Sequence, residues 1–287
     1  MWKWAVTVPL MPIQLFNPVR QKPSTQMRTE VFAGIGRCIY CMESAEKLTK
    51  EHIIPESLNG TLLFRNAVCD VCKPITGDTY EQQALNGPFL IPRMLLELTR
   101  KDAKRKGPKP LPSIAHGAVS DSAGADAYDQ HYDSTEISRY PKMFSLPVTG
   151  LPGLLAGTDL SEGTTSIRIV MVRLQSETGH EPRQSSARNA VVHGCVEMFA
   201  AKVGYSYAMA IGLAVDQVDM TALRDLVLQK RHDVFNFVGA NPRDSDRLGR
   251  DLHELSIVKI RGYWVAKVHL FASCMKTPYL VVLGKVR

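Results

Sequence analysis

Polar and apolar positions along this chain change period several times, and each change marks an element. Leu48 to Ile54 mixes β-branched and charged residues up to Pro55, which predicts a strand closed by the proline. Asn59-Gly60 is a turn signal and Thr61 to Phe64 reads as a second strand, so a hairpin is expected. From Cys69 through Asp78, Tyr80, Glu81 and Leu85, the pattern predicts a helix that stops at Asn86-Gly87-Pro88, with Pro74 tolerated in its first turn. Pro92 to Lys106 predicts another helix, with Met94, Leu95 and Leu98 on one side and Arg93, Arg100 and Lys104 outward. Ser166 to Leu174 reads as a β-branched strand. Val192, Val196, Phe199, Val203, Tyr207 and Ala210 recur at helical spacing, which predicts a well-buried amphipathic helix over 190–213. Leu255 to Ile260, Tyr263 to Phe271 and Tyr279 to Val286 then read as closing strands.

The expected fold class is α+β. Residues 1–29 carry Pro9, Pro12, Pro18 and Pro23 without a sustained period and predict an extended arm. A small unit is expected over 30–90, and a basic helix with a linker or irregular region over 91–165. A second α+β domain is expected over 166–287. The stretch from Gly107 to about Gly163 is rich in Gly, Pro, Ser and Asp and predicts a linker or long loop. No internal repeat is present.

Composition narrows the setting. At 45% hydrophobic residues over 287 positions the chain can bury packed cores. No stretch approaches the roughly 20 apolar residues of a membrane span, and the candidate run Ala208 to Val215 continues into Asp216. The N-terminal apolar run to Leu10-Met11-Pro12 lacks a small-residue cleavage pattern, so a cytoplasmic protein without a membrane partner is expected. The net charge of +7 suits a polyanionic partner. Arg100, Lys101, Lys104, Arg105, Lys106 and Lys109 fall close together, opposed only by Asp102. As phosphate contacts they would give salt-sensitive, sequence-independent affinity, and as a solvated helix end they would give none.

In a reducing compartment, paired cysteines point to metal rather than disulfide. Cys38-Ile39-Tyr40-Cys41 and Cys69-Asp70-Val71-Cys72 each offer two thiolates on one short turn, which suits a tetrahedral Zn²⁺ site. A closed four-sulfur site leaves no open position, so this zinc would hold structure. The chemistry must come from the 27 residues between the pairs, which include Glu51-His52-Ile53-Ile54-Pro55. Cys195 and Cys274 stand alone and read as small buried apolar residues. His180, His193, His232, His253 and His269 have no ligand spacing and read as ordinary core or surface histidines.

The two Cys-x-x-Cys pairs, Glu-His-Ile-Ile-Pro and the Asn-Gly turn resemble the zinc-containing subgroup of HNH endonucleases, over about residues 36–82. The resemblance implies a ββα-metal fold: a hairpin followed by a helix gripping a metal. It also implies metal-dependent hydrolysis of phosphodiester bonds, DNA being the expected partner. His52 would be the general base, since a histidine near its ordinary pKa can take a proton from water at neutral pH. Glu51 would bind a catalytic Mg²⁺ or Mn²⁺. Asn66, with Asn59 as the alternative, would orient the histidine. Ala201 to Ser206 and Pro278 to Gly284 resemble regions found beside such domains.

One position departs from the family. After Cys72, where a histidine or asparagine usually supplies a further metal ligand, this chain has Lys73, and a protonated lysine has no lone pair to offer. Either Asp78 or Glu81 completes the site, or the site no longer binds a catalytic metal well, or Lys73 itself neutralises phosphate charge. The alternative function is a zinc-dependent nucleic-acid-binding protein without catalysis. Neighbouring strand residues point to opposite faces, so Glu51 and His52 can share a site only by flanking the phosphate or through a distorted strand.

Overall fold

The computed structural model describes residues 15–16, 29–98, 114–116, 128–130, 136, 139–140, 142–161, 167–174, 185–187, 194–213, 217–241 and 248–287. The expected α+β class is borne out, with a small cysteine-bearing unit followed by further α+β structure. Strands β1 (Leu15–Phe16), β2 (Glu30–Phe32), β3 (Leu48–His52) and β4 (Leu62–Cys69) come first. The order in the small sheet is β2-β4-β3, with β3 antiparallel and β2 parallel to β4. Helix α1 (Cys72–Thr76) follows, then a wide turn Gly77–Glu81, then α2 (Gln82–Asn86).

The single helix expected from Cys69 to Asn86 is therefore kinked. Thr79 leaves helical geometry (φ −105°, ψ −111°), and its hydroxyl turns back to the Ile75 carbonyl at 2.5 Å. Gln229 also donates to that carbonyl, at 3.0 Å, and to Thr79 Oγ1 at 2.7 Å. A kink needs replacement partners for its freed backbone groups, and Gln229 is one.

Helix α3 (Leu90–Leu95) is shorter than the Pro92–Lys106 helix expected. Glu97 takes a left-handed φ of 52°, which ends it; residues 99–113 lie outside the described residues, and so do Arg100, Lys101, Lys104 and Arg105. Within the expected linker lie β7 (Met143–Thr149) and α4 (Gly153–Ala156). Strand β7 alternates buried Phe144, Leu146 and Val148 with outward positions, and it carries Pro147 at the sheet's edge, where a missing N–H costs no ladder bond. It pairs with β8 (Ile167–Leu174), and β1 lies parallel to β8 on the other side. Short strands β5 (Ile114–His116), β6 (Tyr128–Gln130) and β9 (Ser185–Ala187) form a separate small sheet.

Helix α5 (Cys195–Ala210) matches the expected buried helix and is apolar on almost every side. Helices α6 (Thr221–Val227) and α7 (Val234–Phe237) lead to a four-stranded antiparallel sheet. Its order is β10-β13-β12-β11, made by Val238–Ala240, Tyr279–Lys285, Tyr263–His269 and Glu254–Ile260. Gly204 lets α5 lie against this sheet, since a Cβ there would meet Val281 Cβ at 3.0 Å.

One continuous cluster of buried side chains runs from Cys38 through Phe64 and Phe89 into α5 and the C-terminal sheet. Phe89 packs edge-on against Phe199 (centroids 5.1 Å apart) and Phe271 (5.6 Å). The cysteine-bearing unit and the C-terminal sheet thus share a core with α5 between them. Among the described residues, no helix is long and apolar enough to cross a membrane.

Candidate metal centre and the Glu-His strand

Two turns bring the four thiols together. In the first, Met42 adopts a left-handed φ of 65°, its N–H bonds to the Cys38 carbonyl at 2.9 Å, and Cys38 N–H bonds to the Glu43 carbonyl at 2.9 Å. Ile39 N–H reaches across to the Ala67 carbonyl at 2.8 Å, fixing this turn against β4. In the second, Cys69 ends β4 and Cys72 begins α1. The four Sγ atoms lie within 4.8 Å of one another, and Cys41 and Cys69 are 3.9 Å apart, as unbonded thiols. Sulfurs about 2.3 Å from a tetrahedral ion stand about 3.8 Å from each other. The cluster can hold a metal such as zinc. Burial, and then the charge of Cys38, push the Cys72 thiol up from its ordinary value. A divalent cation reverses that balance, because a coordinating thiol is deprotonated.

The strand between the pairs is distorted where the chemistry is expected. Register is regular at Leu48↔Cys69 and Thr49↔Val68, then resumes at Glu51↔Phe64 and His52↔Leu63. Lys50 alone thus opposes Arg65, Asn66 and Ala67. Asn66 sits in this bulge, exposed, with a left-handed φ of 46°. Gly34 seats the bulge, since a Cβ there would lie 2.6 Å from the carbonyl oxygens of Arg65 and Asn66. Asn59 closes the turn after Pro55 at φ 57°, its N–H bonded to the Glu56 carbonyl at 2.9 Å.

Glu51 and His52 point to different environments, as alternation requires. The His52 side chain is 27% exposed, and its Nε2 lies 3.9 Å from Glu56 Oε2. Glu51 is buried. Its Oε1 meets Lys202 Nζ at 2.5 Å and accepts a hydrogen bond from the Tyr40 hydroxyl at 3.2 Å. With its proton given to Glu51, Tyr40 accepts from Ser206 Oγ at 3.1 Å. Lys202 comes from α5, is 1% exposed, and also holds Glu81 Oε2 at 3.1 Å and the His52 carbonyl at 2.8 Å. Burial alone would lower the Lys202 ammonium, yet the two carboxylates leave it above its ordinary value. Glu81 is raised, because its burial outweighs the attraction of Lys202.

Two further contacts fix the same strand unit. Tyr205 donates to the Ile39 carbonyl at 2.5 Å and stacks on Tyr40 at 5.9 Å. His253 spans Leu58 and Phe271: Phe271 N–H donates to its Nδ1 at 3.1 Å, so Nε2 carries the proton toward the Leu58 carbonyl at 2.8 Å. Burial holds this imidazole neutral, lowered to about 4.

Lys73 and Asp78 are exposed. Among the described residues, the group of three or more His, Cys, Asp or Glu that could hold a metal is the four-cysteine cluster, and neither Glu51 nor Asp78 belongs to one. The four cysteines could hold a metal such as zinc, whereas Glu51, where Mg²⁺ or Mn²⁺ is expected, meets the Lys202 ammonium. That carboxylate already neutralises an ammonium. Lys202, Tyr205 and Ser206 were not singled out from the pattern for any role. The available signal was a lysine inside a helix otherwise apolar on nearly all sides.

Residues 38–88 match the family model of the HNH endonucleases. That segment is an HNH domain with a four-cysteine cluster. No curated protein and no solved structure matches the chain.

Proposed function

We propose that the 38–88 unit is an endonuclease module that hydrolyses phosphodiester bonds of nucleic acid, DNA being the expected substrate. The observation that carries this reading is the family match over the stapled hairpin, with a part-exposed histidine on the strand between the cysteine pairs. In it, neutral His52 takes the proton of the attacking water. The imidazolium so formed faces the Glu56 carboxylate, which stabilises it. Lys73, exposed directly after Cys72, and the run Arg100, Lys101, Lys104 and Arg105 are proposed phosphate contacts. Asn66, and Asn59 as its alternative, are proposed to hold the loop that presents His52.

A second reading is a zinc-dependent nucleic-acid-binding protein without catalysis. It is favoured by the commitment of Glu51 to Lys202 and by Lys73 in place of a ligand. Duplex binding across a salt series, run beside cleavage of the same duplex, separates the two. The nuclease reading expects salt-sensitive binding with cleavage, and salt-sensitive binding without cleavage supports the second reading. Absence of binding at low salt contradicts both.

A further inference from the structure

The acid of the Glu-His pair is expected to bind a divalent metal, but in the structure it meets an amine. Lys202 projects from α5 into the back of the hairpin, where Glu51 and Glu81 converge on its Nζ from β3 and from the wide turn before α2. The third contact is the carbonyl of His52 itself, and the Ile53 carbonyl lies farther off at 3.5 Å. Two carboxylate oxygens and a carbonyl oxygen around one cation are the donor types that a hard divalent ion takes. Here a side chain from 150 residues further along supplies the charge. An ammonium with three protons can satisfy three such acceptors, and Lys202 has three close ones at 2.5, 3.1 and 2.8 Å.

We infer that Lys202 is the resident cation of the Glu51–Glu81 acid pair, standing where a divalent metal would otherwise be held. Glu51 thereby fixes β3 to α5 and is not a metal ligand. Lys202 is a positioning residue for His52, because it holds the carbonyl of that residue. The consequence for catalysis rests on the nuclease reading above, whereas the cation assignment does not.

Mn²⁺ uptake by the zinc-loaded chain tests the inference without using activity. Free Mn²⁺ is followed by electron paramagnetic resonance in wild type, Glu51→Gln, Lys202→Met and Lys202→Met/Glu51→Gln proteins. The expected result is no Glu51-dependent uptake in wild type, gain of about one Mn²⁺ in Lys202→Met, and loss of that gain in the double variant. A merely structural lysine would not create a metal site when removed. Wild-type uptake of one Mn²⁺ that Glu51→Gln abolishes would overturn the inference, and so would a folded Lys202→Met that takes up none. Should Lys202→Met not fold, the wild-type and Glu51→Gln pair decides alone: equal uptake supports the inference, and loss of one Mn²⁺ in the variant overturns it. Plasmid cleavage assayed on the same samples reports on the nuclease reading separately. Absence of cleavage beside the expected Mn²⁺ pattern would sink that reading and leave Lys202 as assigned.

Discussion

Replacing Lys202 with methionine removes one charge and little volume from the junction of the two halves of the molecule. The lysine is 1% exposed and the side chains of Glu51 and Glu81 are 10% and 20% exposed, so both carboxylates lose their counter-charge in a largely buried place. Removing one partner of a buried ion pair costs about 3–5 kcal/mol. A stranded carboxylate can escape by taking a proton. From an ordinary pKa near 4.3 that costs about 3.7 kcal/mol at pH 7 and about 1 kcal/mol at pH 5, at 1.36 kcal/mol per unit. Lys202→Met should therefore lose about 3–5 kcal/mol at pH 7 and markedly less at pH 5. Glu51→Gln/Glu81→Gln/Lys202→Met, which removes all three charges together, should stay within about 1–2 kcal/mol of wild type at both pH values. Urea denaturation of the zinc-loaded proteins, followed by tyrosine and tryptophan fluorescence, measures this. A single variant that loses under about 1 kcal/mol, with no difference between pH 7 and pH 5, would refute the triad as an energetic unit.

Other outcomes follow from the same geometry. Chelation, or Cys69→Ser, should remove one zinc per chain and collapse the near-ultraviolet circular dichroism of Phe89 and its neighbours, because the cysteine unit shares its core with α5; an unchanged spectrum would contradict the shared core. His253 is lowered to about 4 by burial, so stability present above pH 6.5 should fall by about 3 kcal/mol as pH drops through 4, and His253→Phe should flatten that limb. Glu197 is raised to about 7 by burial, so its contribution is full below about pH 4.5 and is lost as pH rises through 7; Glu197→Gln should remove that alkaline decline in a denaturation series. Gly60→Ala should destabilise by about 2 kcal/mol or more, since its Cβ would sit on the Ile54 carbonyl oxygen. At Gly36, where open space surrounds a φ of 77°, alanine should cost only about 1 kcal/mol in a parallel melt.

Elements with a clean period were legible in the chain itself. Tyr279–Lys285, Glu254–Ile260 and Cys195–Ala210 stand within a few residues of their expected bounds, because their burial pattern and their sequence pattern coincide. Strand β7 was hidden by Pro147 and by the glycines around it, signals that mark loops except at a sheet edge. The kink at Thr79 depends on Gln229, 150 residues away, which no local pattern can carry. The cysteines were legible because metal spacing is short-range, whereas the partners of Glu51 were not. A lysine reads as exposed until two distant carboxylates are seen to meet it. Local spacing located the strand; tertiary contact decides what its acid does.

Cleavage of supercoiled plasmid by zinc-loaded wild type and by His52→Ala, with and without added Mg²⁺ or Mn²⁺, is the measurement closest to the central claim. The account predicts nicked or linear product from wild type and its loss in His52→Ala, with zinc content and duplex affinity retained. Cleavage that survives in His52→Ala would contradict the role given to this histidine. A folded, zinc-loaded, DNA-binding wild type that leaves the plasmid intact would contradict the nuclease itself.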